Sequence, residues 1–83
     1  MDWYDHYEAA VRHLVRMEDN FADAALRPEG NWIAALESGM AAHTALAEVL
    51  IHCTHMAYAD GATKKRLAEI LDLNPRDLRG LTR

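Results

Sequence analysis

With 83 residues, the chain has room for one small domain, and a core of that size is thin unless something supports it. Hydrophobic residues make up 51%, which excludes compositional disorder, and Cys53 is the one cysteine, which excludes an intramolecular disulfide and fits a reducing cytoplasm. The net charge of −4 hides an asymmetry: residues 1–60 sum to −7 and residues 61–83 to +3. Opposed charge along one short chain points to a basic end that faces a polyanion.

No early run is apolar enough for a secretory signal, because Asp2, Asp5 and Glu8 fall among the first eight residues. The low-charge stretch from Ser38 to Ala59 is interrupted by Glu48 and by three histidines, which argues against a membrane span. The reading is a cytoplasmic, all-α protein of one domain, with a long helical hairpin over residues 1–60 and two short helices over 61–83.

The first helix is predicted from about Asp2 to Leu26. Its apolar residues fall at Trp3, Tyr7, Ala10, Leu14, Met17, Phe21 and Ala24, spaced 4-3-4-3-4-3, a sustained seam on one face. Tyr4, Val11 and Ala25 widen that seam, as a helix packed into a bundle requires. The segment Arg27-Pro28-Glu29-Gly30-Asn31 stops the helix, and Asn31 caps the next.

The second helix is predicted from about Trp32 to Ala59, closed by Asp60-Gly61. It is apolar over most of its circumference, with Glu37, Thr44, Glu48, His52 and His55 forming a narrow polar stripe. Gly39, Ala41, Ala42, Ala45 and Ala47 permit close helix approach. One partner helix cannot cover so much apolar surface. Either the C-terminal helices cover the remainder, or two hairpins pair into a four-helix bundle, and the homodimer is the preferred expectation.

Short helices are predicted at about Thr63–Leu71 and Pro75–Thr82, the second opened by Asn74 at the cap, Pro75 in the first turn and Asp77 near the positive end. Within Thr63–Arg83 the apolar positions Leu67, Ala68, Leu71, Leu73, Leu78 and Leu81 carry a pattern that resembles the helix-turn-helix of bacterial and phage DNA-binding proteins. The resemblance covers about a quarter of the chain. It implies that Ala68 lets the second helix cross closely, that Leu67 and Leu71 pack inward, that Leu73 plugs the turn, and that Leu78 and Leu81 anchor the second helix. The turn of that family usually holds glycine at a positive φ, and this chain has Asp72 there.

Charge placement adds to the pattern. Arg76, Arg79 and Arg83 fall at i, i+3 and i+7, within about 60° of one another on a helix and opposite Leu78 and Leu81. That is the division a recognition helix needs, with arginines free to pair with guanine or phosphate. Lys64, Lys65 and Arg66 crowd a helix start, where the macrodipole disfavours cations, and an anionic backbone would account for them. The same leucines and arginines also suit a core with a solvated face, or a protein-binding use of the motif, and the acidic remainder of the chain would repel a duplex unless it points away.

The histidines carry less. His52 and His55 lie one turn apart and His6 and His13 share a face, but no Glu-x-x-His or His-Glu-x-x-His pair is present and Cys53 points away from the His52/His55 side, so no metal or other cofactor is expected. His43 is expected to be buried and hydrogen-bonded on the apolar side of the second helix. Neighbours at i±1 and i±2 on a helix do not face each other, so the histidines near Cys53 do not activate it, and no enzyme is expected. The hairpin is similar to small helical proteins of actinobacterial phages through His6-Tyr7-Glu8-Ala9-Ala10 and His43-Thr44-Ala45-Leu46-Ala47, a resemblance that implies an accessory or regulatory protein. The function expected from the sequence is DNA binding in transcriptional regulation, with DNA contacted by Arg76, Arg79, Arg83, Lys64, Lys65 and Arg66. The alternative is an interaction module that docks on a host protein through the second helix.

Overall fold

A computed structural model describes residues 3–27 and 29–74 of the chain. The described residues form three helices and no strand: α1 (Trp3–Ala25), α2 (Trp32–Ala59) and α3 (Lys64–Leu71). The all-α class and the long hairpin stand as the sequence pattern predicts. The short helix predicted at Pro75–Thr82 lies outside the described residues.

Local chemistry sets each helix end. An exposed i,i+4 pair joins Arg12 to Glu8 within α1 at 2.7 Å, and Arg27, just past the helix end, reaches back to Asp23 at 2.8 Å. Gly30 supplies a φ of +56° in the turn that follows, a conformation that costs a residue with a Cβ. Asn31 then caps α2 as its identity predicts, its Oδ1 accepting from the Ala34 N–H at 3.0 Å. At the far end of α2, Gly61 at φ 106° turns the chain. Its N–H donates to the Tyr58 carbonyl at 3.1 Å and the Ala62 N–H donates to the Ala57 carbonyl at 3.0 Å, the paired bonds of a Schellman ending.

The chain divides into two compact units, Met1–Val49 and Leu50–Arg83, and the division falls within α2. In the first unit Leu14, Ala45 and Val49 are buried, with Tyr7, Ala10, Val11 and Met17 packed against them. The seam read from the sequence is therefore the face by which α1 meets α2. The helices run antiparallel, since Phe21 meets Gly39 while Leu14 lies with Ala45 and Val49. A Cβ added at Gly39 would stand 3.1 Å from the Phe21 ring, so glycine is what admits that ring.

In the second unit Leu67 and Ala68 of α3 are buried, with Ala57, Ala62 and Leu71 packed against them. The last turns of α2 belong to this unit because they supply the surface on which α3 rests. Thr54 is buried in α2, and its hydroxyl donates to the Leu50 carbonyl at 2.7 Å, so the buried polar group is satisfied within its own helix. No helix of the described residues is long and apolar enough to cross a membrane.

Candidate functional site

The α3 helix begins on a side-chain cap. Thr63 takes an extended backbone, and its Oγ1 accepts from the Arg66 N–H at 3.1 Å. Lys64, Lys65 and Arg66 therefore occupy the first turn, and all three are exposed. The helix dipole opposes cations at that end, so their placement costs a few tenths of a kcal/mol each rather than stabilising the helix. Lys64 places its Nζ 5.9 Å from the centre of the Tyr58 ring, within the range of a cation–π attraction. The Arg66 guanidinium lies 3.6 Å from Glu69, with both side chains mostly exposed; such a pair holds the guanidinium weakly and leaves it available to another anion. Lys65 makes no ion pair among the described residues.

The helix ends at the position where the helix-turn-helix pattern expects a positive φ. Asp72 adopts φ 55° and ψ 45°, the left-handed conformation, and it is the one non-glycine residue among those described to do so. The Asp72 N–H donates to the Glu69 carbonyl at 3.3 Å, and the Leu73 N–H donates to the Ala68 carbonyl at 2.9 Å. These two bonds satisfy two of the last carbonyls of α3 and end the helix. Leu67 and Ala68 are buried and Leu71 is half-buried; the second helix that Ala68 is expected to let cross lies outside the described residues.

Two expectations are corrected. Leu73, expected to plug the turn, keeps 42% of its surface exposed, while its N–H donates to the Ala68 carbonyl. His43, expected to be buried, is exposed: it sits at the rim of the α1–α2 contact, lining a groove with Leu14, Glu18, Asp19 and Phe21, while Ala35, Ala45 and Val49 take the buried positions. The remaining proposed DNA contacts, Arg76, Arg79 and Arg83, lie outside the described residues. The sequence reading passed over Tyr58 beneath Lys64; the two sit on either side of the tight Gly61 turn, and only that turn brings them together.

Cys53 is exposed, His52 and His55 are half-buried, and His6 and His13 are exposed. Among the described residues, no group of three or more His, Cys, Asp or Glu side chains is disposed to hold a metal ion. Compared with protein families, curated proteins and solved structures, the chain matches none.

Proposed function

We propose that the chain is a small DNA-binding protein, a transcriptional regulator that works as a homodimer through its N-terminal hairpin. The observation that carries this reading is the left-handed turn at Asp72. Left-handed residues commonly end helices, but usually as glycine; with a Cβ the conformation is disfavoured by roughly 1 kcal/mol or more, so an aspartate there is a choice that calls for a reason. The helix-turn-helix pattern requires that redirection at this position, and it requires the buried pair Leu67 and Ala68 that precedes it. Lys64, Lys65 and Arg66 supply exposed cations for a phosphate backbone. On this reading the segment after the turn presents Arg76, Arg79 and Arg83 to the groove.

Fluorescence anisotropy with a random duplex at low salt is the test. Binding is expected, with an affinity that falls steeply as salt rises; six phosphate contacts give a log–log slope of about −5. Replacing Arg76 and Arg79 with alanine is expected to weaken binding at least tenfold while the helical circular dichroism signal holds. A chain that ignores DNA at low salt contradicts the reading. It would favour the second one, a module that docks on a protein partner, which the exposed apolar residues Ile33, Leu36 and Met40 of α2 support.

A further inference from the structure

We propose that a second copy of this chain covers the open face of α2, through a seam made by Ile33, Leu36, Met40, His43 and Ala47. The proposal rests on the dimeric half of the reading above and is independent of its DNA half. The five positions are spaced 3-4-3-4, the 3.5-residue repeat that keeps one helical stripe turned toward a helix running beside it. All five are exposed, Ile33 at 72%, Leu36 at 65% and Met40 at 56%, and Trp32 at 76% flanks the stripe.

The area is compatible with a second copy as the occupant. A large apolar or aromatic side chain presents on the order of 150–200 Å² when bare, so these four large residues together expose on the order of 500 Å². That lies at the upper end of the ~300–600 Å² that a lone monomer shows as its largest patch. It also supplies most of the ~800 Å² that each partner contributes to an interface of standard size.

The chemistry suits a twofold contact. In such an interface the same patch meets itself, so any fixed charge in it would face its own kind across the axis. The seam itself carries no Lys, Arg, Asp or Glu, although the unit around it is acidic; its one ionisable member is His43, at its edge, which shares a groove with Glu18 and Asp19 of α1. The small Ala47 lets two such helices approach closely. A basic partner would instead call for carboxylates within the stripe, and Glu37 and Glu48 stand outside it.

Sedimentation equilibrium of the full chain, with circular dichroism on the same samples, tests the inference. The wild type is expected to be a dimer with a micromolar Kd, and the Leu36→Glu/Met40→Glu variant a helical monomer with that Kd raised at least a hundredfold. His43→Leu extends the apolar seam and is expected to tighten pairing about tenfold; this variant decides the matter if the double variant fails to fold. A monomeric wild type, which would hand the face to a different protein, overturns the proposal. So does a double variant that still pairs, or a His43→Leu chain that pairs no more tightly than wild type. Salt separates the two halves of the reading, because apolar pairing holds or tightens as salt rises while DNA binding weakens. A dimer that ignores DNA leaves this inference standing and removes only the DNA reading.

Discussion

Between Trp32 and Val49, α2 has two apolar faces built from residues of different size. The face against α1 carries Ala35, Gly39, Ala45 and Val49, and the opposite face carries Ile33, Leu36 and Met40. The small set is buried or half-buried and the large set is exposed, the reverse of what would serve a lone chain. Burial of a Leu, Ile or Met side chain contributes about 1.5–3 kcal/mol, whereas an alanine removes far less area from water. The small residues have their own logic. They let α1 approach closely enough for the Phe21 ring to rest on Gly39. The contrast teaches that hydrophobicity alone does not identify the inner side of a helix; side-chain size, set by how near the neighbour comes, does.

The largest effect that can break this comparison is a charge on the covered face. Ala45 is 2% exposed, so Ala45→Asp leaves a carboxylate buried without a partner. A loss of about 3–5 kcal/mol is expected, enough to unfold a domain of this size in a urea titration. The matching change on the open face, Met40→Asp, is expected to shift stability by no more than about 0.5 kcal/mol at dilutions where the chain is unpaired. Equal losses at the two sites would mean that the faces have been assigned wrongly.

Size rather than charge gives a second, smaller contrast. Gly39→Leu pushes a branched side chain into the space held by the Phe21 ring and is expected to cost about 2 kcal/mol in a thermal melt. Gly39→Ala sharpens the point. The first Cβ contact is with a side chain that is 41% exposed and can yield, and alanine regains about 1 kcal/mol of helix propensity, so a net change near zero is expected.

The smallest effect compares two helix ends. Gly61 closes α2 at positive φ without penalty, while Asp72 closes α3 in the same left-handed manner with a Cβ. Asp72→Gly is therefore expected to stabilise the second unit by about 0.5–1 kcal/mol, read as a rise in melting temperature. A fall would show that the aspartate side chain itself stabilises the turn.

Much of the fold was legible because its signals are local. Asn31 and the Asp60-Gly61 pair mark helix ends through bonds to residues a turn away, and the ends of α2 fall where those residues predict. The α1 seam was legible because only one face of that helix is apolar. His43 was misplaced for the opposite reason: α2 is apolar nearly all round, so periodicity gives no direction, and the covered side depends on contacts distant in sequence. The run of small residues at 39, 42 and 45 was the available signal for that side. Of the candidate site, the cations and the turn at Asp72 could be read from the sequence. The exposure of Leu73 could not, because it follows from where the backbone goes after the helix ends.

The claim at the centre of this account is that the large apolar residues of α2 face another copy of the same helix. An isotope-filtered NMR experiment on a mixture of labelled and unlabelled chains observes that contact directly. The account predicts intermolecular cross-peaks that join the Met40 methyl group to Ile33, Leu36 or Met40 of the other chain. Strong Phe21–Gly39 contacts within one chain, without any signal between chains from those methyl groups, would contradict it.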